Sequence, residues 1–234
     1  MDDKQLVIHN KDMSSLDKAA ALYESSTMLR ALVQLVPSIG SSTDFLISKT
    51  AQDYVRKRHN TFFLDIYNRL EKLEHEPETI NNEHLFDLIN QAYSGALKTH
   101  STKKIRRFSK IVSDFIIGDT LWDEIETLNR FVDELSDIHI QILLFANRVP
   151  QDPSTDGLPV FYISKPKEEY AGERPIISNA FPMFSEETIR MFCSELISKN
   201  LLFNEGDNRP YLGGKNFMRK TDLTDWFLAK IIDN

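Results

Sequence analysis

The chain of 234 residues has very little cysteine, with Cys193 as the single one. One cysteine excludes an internal disulfide framework and a cysteine-based zinc cluster. The amino terminus begins Met1-Asp2-Asp3-Lys4 and no long apolar run follows it, so we expect neither a signal peptide nor a transit peptide. Both features favour a reducing compartment, and we expect a cytoplasmic protein.

Long apolar runs are also missing. The least charged stretch, residues 29–47, carries only Arg30 and Asp44 as charges, and Pro37 and Gly40 interrupt it. The stretch is too short and too interrupted to cross a bilayer as a helix. We therefore expect no membrane span, and we prefer a buried helix–helix turn as the explanation of this stretch over a hairpin inserted into a membrane.

Recognisable catalytic motifs are scarce. The sequence contains no phosphate-binding loop, no dinucleotide-binding glycine motif, no zinc-protease histidine pair and no nucleophile elbow. Its histidines, aspartates and glutamates show no spacing typical of metal ligands. We therefore expect no metal, no other cofactor and no enzymatic activity.

One pair of residues resembles a catalytic motif. Arg69 and His75 lie near the end of a long predicted helix, with five residues between them. All-helical ribonucleases of the HEPN type are similar, because they use an arginine and a histidine at about this spacing. The resemblance implies a nuclease in which the histidine acts as a general acid–base. A helical ribonuclease is the third functional hypothesis, behind the two given below.

The composition is that of a folded protein, with 41% hydrophobic and 10% aromatic residues. The chain has 28 basic and 35 acidic residues, and its net charge is −7. A negative field of this kind repels phosphate. Any contact with nucleic acid must therefore come from a local basic patch.

Apolar residues recur at steps of three and four over the first 147 residues, which predicts helices. The predicted spans are 15–36, 42–74, a third helix from Asn82, a fourth from Ser101 to Gly118, and a fifth from Thr120. The fifth helix either ends near residue 135 or continues to residue 147. The pattern predicts an N-terminal tail at residues 1–14 and a helical bundle at residues 15–134.

The composition changes after residue 147. Six of the nine prolines lie between residues 148 and 184, which predicts an irregular segment. A short apolar run at residues 158–163 is the one plausible strand within it.

The last hundred residues follow an order typical of a winged-helix module. Helical patterns at residues 136–147 and 185–199 precede the apolar residues 201–203, a turn with Gly206, the pair Gly213 and Gly214, and an apolar helix from Thr221. We predict a mainly α fold, with an N-terminal multi-helix region and a winged-helix-like module with a small β-hairpin. The module spans residues 135–234 and contains the proline-rich segment 148–184.

Several short motifs resemble a group of uncharacterised bacterial helical proteins. They are LVPSIGS at residues 35–41, Asp44, a helix with Arg56, Arg58 and Phe62, LSDIHI at residues 135–140, and KTDLTDWFL at residues 220–228. The resemblance covers most of the chain. It implies a C-terminal part similar to a winged helix and implies no known activity.

Two groups of cations are candidates for contact with nucleic acid. In the basic stretch at residues 98–110, Lys103, Arg106, Arg107 and Lys110 fall at helical spacing and are expected to share a face. The second group surrounds the predicted wing and consists of Arg209, Lys215, Arg219 and Lys220. A shorter basic run occupies residues 56–59. The alternative for each is a solvated surface that pairs with the many acids of the chain.

The helix that would enter a DNA groove, at residues 185–199, carries three acids against two bases. Acids among phosphates oppose binding, so this helix is unsuited to DNA. Our first hypothesis is therefore a non-catalytic bacterial interaction or regulatory protein that acts through a protein partner or self-association. The alternative is a nucleic-acid-binding regulator that uses the basic face and the wing.

Two further residues are expected to be structural. His139 lies among Ile138, Ile140 and Ile142, which is typical of a core histidine rather than a ligand. Cys193 follows Phe192 on a predicted packed helix and should behave as a small apolar residue.

Overall fold

The computed structural model describes residues 49–70, 82–118, 120–155, 157–165, 174–207 and 216–233. The predicted tail at 1–14, the predicted helix at 15–36, and His75, Arg209 and Lys215 lie outside them. The fold is mainly helical with a small antiparallel sheet toward the carboxyl end, which confirms the predicted fold class at this level. The chain divides into two compact units between Glu134 and Leu135.

Unit 1, as described, consists of four helices. They are α1 (Lys49–Leu70), α2 (Asn82–Lys98), α3 (Thr102–Ile117) and α4 (Trp122–Glu134). The central helix is α3, which packs against the other three. It does so through a buried stripe at helical spacing that includes Ile105, Phe108 and Val112. Inside this packing, the Ser109 hydroxyl donates to the Phe62 carbonyl at 3.1 Å and joins α3 to α1.

The ends of α3 follow local rules. The Ser101 side chain caps the amino end, where its oxygen accepts the Lys104 backbone N–H at 3.1 Å. Gly118 ends the helix with φ at 85°, a left-handed conformation that favours glycine, and its N–H donates to the Phe115 carbonyl at 3.1 Å. The sequence pattern predicts both ends of this helix, at Ser101 and Gly118.

A break at Leu135 and Ser136 separates α4 from α5 (Asp137–Arg148). Ser136 is extended, with φ −82° and ψ 168°, and its backbone N–H donates to Nδ1 of His139 at 3.1 Å. The helical pattern therefore does not continue through this point, which settles the choice that the sequence left open.

Unit 2, as described, combines four helices with three short strands. After α5 come β1 (Val160–Tyr162), α6 (Ile177–Ala180), α7 (Glu186–Ser198), β2 (Leu202–Asn204), β3 (Phe217–Lys220) and α8 (Asp222–Ile231). The sheet order is β1-β3-β2 with both pairings antiparallel, so β3 is central. Val160 pairs with Arg219 on one side and Leu202 with Lys220 on the other. The predicted strand within 158–163 is therefore present.

The proline-rich segment is held to the sheet through Arg174. Its guanidinium pairs with Asp152, donates to the Tyr162 hydroxyl at 3.0 Å, and lies 5.1 Å from the ring centre of Phe217. Tyr162 and Phe217 are themselves buried against Val160. Backbone hydrogen bonds add to this attachment, since the Tyr162 N–H donates to the Pro175 carbonyl at 2.9 Å and the Ser178 N–H donates to the Ile163 carbonyl at 3.1 Å. The segment predicted to be irregular therefore contains β1 and the short helix α6.

Candidate functional site

The helix α7 presents an acidic and apolar surface. Ser185 caps it, and its side chain accepts the Thr188 N–H at 3.2 Å. Glu186 and Glu187 occupy the first turn, where they complement the helix dipole. One side of α7 is buried through Ile189, Cys193 and Leu196. The opposite side is exposed and consists of Glu187, Met191, Ser194 and Glu195.

Two methionines are exposed in this region. Met191 is 51% exposed and Met183, just before the helix, is 73% exposed. The rings of Phe184 and Phe192 are 5.6 Å apart, so the two methionines that precede these rings in sequence belong to the same part of unit 2. We call Met183, Glu186, Glu187, Met191 and Glu195 the α7 surface. Unbranched, adaptable methionine side chains beside acids are typical of protein-binding surfaces.

The side chain of His139 on α5 contacts α7. It is 4% exposed, as expected for a core histidine, and its Nε2 lies 2.8 Å from Oε2 of Glu195. The Ser136 hydroxyl lies 2.8 Å from Nδ1, so Ser136, His139 and Glu195 are connected in the order of a hydrolase triad. However, Nδ1 accepts the Ser136 backbone N–H, which occupies the lone pair that would take the hydroxyl proton. The arrangement caps α5 rather than activating a nucleophile.

Cys193 is fully buried on the inner side of α7. Burial raises the pKa of its thiol to about 12, against a smaller opposing effect of the Arg190 charge. The thiol is therefore protonated at neutral pH and has no nucleophilic character.

The four cations of the predicted basic face lie in different environments on α3. Lys103 and Arg106 are exposed to solvent. Arg107 is only 8% exposed, because it lies one turn before Ile111 on the buried side of the helix. Lys110 is half-buried and pairs with Asp114 at 2.7 Å. The solvent-facing part of this group is therefore Lys103 with Arg106.

The structure joins the two basic stretches of unit 1. Arg58 on α1 donates to Nδ1 of His100 at 2.8 Å, and also to the Leu97 carbonyl. Arg56 and Lys57 are exposed on the same turn of α1. The runs at 56–59 and 98–110, distant in sequence, therefore meet at one end of the bundle, a proximity that the sequence pattern did not predict.

The two described cations of the predicted wing are engaged within unit 2. Arg219 pairs with Glu205 and lies 4.7 Å from the ring centre of Phe203. Lys220 donates to Asn147 at 2.7 Å and pairs with Asp225. A phosphate would have to compete with these partners for either cation.

Arg69, the described member of the ribonuclease-like pair, forms an ion pair with Asp65 at 2.9 Å, one turn earlier on α1. An intrahelical pair of this kind is an ordinary structural use of arginine. Its proposed partner His75 is outside the described residues.

His59, the last residue of the basic run 56–59, packs between α1 and α2. Nδ1 of His59 is 2.9 Å from the Tyr93 hydroxyl, and both rings pack with Phe63. Burial lowers the pKa of His59 and raises the pKa of Tyr93, so both groups are neutral near pH 7. The pair joins α1 to α2.

The sequence also did not predict a cleft of about 510 Å³ in unit 1. The residues that line it come from α2 (Gln91, Ser94, Gly95, Lys98) and α4 (Glu126, Thr127, Asn129, Arg130, Asp133). Their spacing of three and four places each set on one side of its helix. A polar face at this spacing is the signal that could have indicated the cleft.

Within the described ranges, no three His, Cys, Asp or Glu residues are grouped to hold a metal ion. The helices of the described chain include none with the length and hydropathy needed to cross a membrane.

Comparison of the chain with known protein families, with curated proteins and with solved structures finds no match.

Proposed function

We propose that this chain is a non-catalytic bacterial interaction or regulatory protein of the cytoplasm, acting through a protein partner or self-association. In this proposal unit 2 is a winged-helix-like module that presents the α7 surface to the partner. The buried, protonated Cys193 suits a reducing compartment.

The order of elements supports the assignment of unit 2. A helix, a strand, a short helix and a longer helix precede a two-stranded hairpin and a last helix. The first strand pairs with the last, so the sheet order is β1-β3-β2. In a winged helix the first strand likewise joins the edge of the hairpin, and the third helix is the one presented to a ligand.

The observation that carries the function is the exposure of Met191 between Glu187 and Glu195, on the outer side of α7. Both neighbours are acidic, and a phosphate backbone would be repelled by them. A protein segment with apolar side chains and flanking lysines or arginines fits this surface by charge and by hydrophobic contact. The surface is less suited to its own copy, because like charges would face each other.

The test is affinity purification of tagged full-length protein from a bacterial host, comparing wild type with Met191→Asp. We expect a partner present in stoichiometric amount with wild type and lost with the variant. Leu121→Asp is the matched control, because Leu121 is 75% exposed but lies in unit 1. Sedimentation velocity of the same three proteins separates self-association from binding of a different chain. A bound set that Met191→Asp leaves unchanged would overturn the proposal.

A second candidate function is binding of nucleic acid by unit 1. The Arg58–His100 contact favours it, because it joins the basic run 56–59 of α1 to the residues that precede α3. Such binding would be weak, independent of base sequence and steeply salt-dependent, since it rests on counterion release. Retention of wild type on duplex DNA, lost in Lys103→Glu with Arg106→Glu but kept in Arg219→Glu, would favour this function over the first.

A further inference from the structure

The cleft of unit 1 differs from an ordinary helix–helix contact. Its volume of about 510 Å³ falls in the usual range for small-molecule sites, about 300–1,000 Å³. Every side chain that lines it is polar or charged, apart from Gly95, which has none. These groups offer hydrogen-bond and charge partners to a hydrophilic ligand along the cleft.

Two cations of the cleft are suited to an anionic group. Among the described residues, Lys98 and Arg130 form no ion pair. Short connections reverse the chain between α2 and α3 and again between α3 and α4, so α2 and α4 run in the same direction. Asn129 of α4 is hydrogen-bonded to Gln91 of α2, so Arg130 is level with Gln91, and Lys98 lies about 9 Å farther along the cleft at the end of α2. Both side chains are long, and from these positions they can extend toward one phosphate placed between them. A lysine with an arginine is a common pair for holding phosphate.

Asn129 provides a second, independent indication of a ligand. It is 5% exposed and lies in the cleft wall, where its amide nitrogen donates to Oε1 of Gln91 at 3.2 Å. Its Oδ1 is buried and has no hydrogen-bond partner within the described part of the protein. Buried carbonyl oxygens in native proteins normally accept a donor. A ligand hydroxyl would supply one after a small turn of the amide.

The rest of the lining indicates what accompanies the anionic group. Glu126 and Asp133 are hydrogen-bond acceptors, as is Oδ1 of Asn129. Acceptors of this kind match the hydroxyl groups of a sugar. The lining contains no aromatic side chain on which a nucleobase could stack. We propose that the cleft binds a phosphorylated sugar or polyol, with phosphate at Lys98 and Arg130 and hydroxyl groups at Asn129, Glu126 and Asp133.

The test is isothermal titration calorimetry of the full chain with three probes: glucose 6-phosphate, glucose and inorganic phosphate. Glucose 6-phosphate should bind at least about tenfold more tightly than either of the other two, because only it engages both parts of the site. Lys98→Ala and Arg130→Ala should each weaken its binding by about tenfold or more. Lys57→Ala is the control, since Lys57 is exposed on α1 away from the lining.

Asn129→Leu distinguishes a binding role from a structural one. Leucine has a similar volume and removes the unsatisfied oxygen, so the urea midpoint should be unchanged or raised while binding of glucose 6-phosphate is lost. Equal binding of inorganic phosphate and glucose 6-phosphate would indicate an adventitious ion only and would overturn the proposal. Failure of glucose 6-phosphate to bind would overturn it as well. The site lies in unit 1, so these results are independent of Met191.

Discussion

Gly95 of α2 faces the ring of Phe108 of α3 so closely that a β-carbon at position 95 would lie 2.5 Å from Cζ of that ring. Real β-carbons do not approach a neighbour to this distance, so a side chain at position 95 would have to displace the buried ring of Phe108. The absence of a side chain at position 95 is therefore what sets the spacing of the two helices.

Gly95→Ala should destabilise the protein despite the better helix propensity of alanine. The added methyl group overpacks the α2–α3 contact, which typically costs about 1–3 kcal/mol, against about 1 kcal/mol gained from propensity. Urea denaturation measures the change. Ser94→Ala, at the exposed neighbouring position, is the control and should be neutral or slightly stabilising. An unchanged midpoint for Gly95→Ala would show that Phe108 can move.

The stability of unit 1 should depend on pH through His59. Burial lowers the pKa of this side chain below its ordinary value of 6.5, so the unfolded chain binds the proton more readily. The free energy of unfolding should therefore decrease as the pH falls from above 6.5 through the lowered pKa. His59→Gln should show a shallower dependence in urea denaturation across this range. Tyr93→Phe should keep the wild-type slope, because burial of His59 is the cause; equal slopes in wild type and His59→Gln would contradict this.

Cys193 should react with thiol reagents only when unit 2 unfolds. Its side chain is buried and its pKa is raised to about 12, so the native protein has almost no accessible thiolate. The rate of modification by a chromogenic disulfide should be very low in buffer and should increase through the urea transition. Fast stoichiometric labelling of the native protein would show that α7 opens readily.

Purified protein should not cleave RNA. Arg69 is held by Asp65 at 2.9 Å along α1, which accounts for it without a catalytic role. A fluorogenic RNA substrate incubated with wild type and with His75→Ala should give the same background in both. Turnover by the wild type that the His75→Ala variant lacks would instead establish the helical ribonuclease hypothesis.

Local rules allowed several elements to be predicted from the sequence. Ser101 and Gly118 bound α3 as expected, since a capping hydroxyl and a left-handed glycine act within one turn of the helix end. The strand at Val160–Tyr162 was predicted because apolar residues are rare among the surrounding prolines. Its pairing with β3 was not, because that contact joins residues far apart in sequence.

The functional surfaces were less predictable for the same reason. Helical spacing places Arg107 on one side of α3 with Lys103, but spacing alone does not show which flank of an apolar stripe is buried by a neighbouring helix. The Arg58–His100 contact and the Gln91–Asn129 contact each join different helices. Contacts between helices depend on tertiary packing, and no local sequence pattern predicts them.

The central position of β3 has a consequence for biosynthesis. Both β1 and β2 are hydrogen-bonded to β3, which is translated after every other element of unit 2 except α8. Contacts between α2, α3 and α4 join segments that are adjacent along the chain, and such contacts form quickly. On the ribosome, unit 1 should therefore begin to fold first. The strand β1 is synthesised before β3, the strand with which it pairs. A nascent chain stalled before Phe217 would carry β1 without its partner strand, and an unpaired strand edge is open to pairing with other chains.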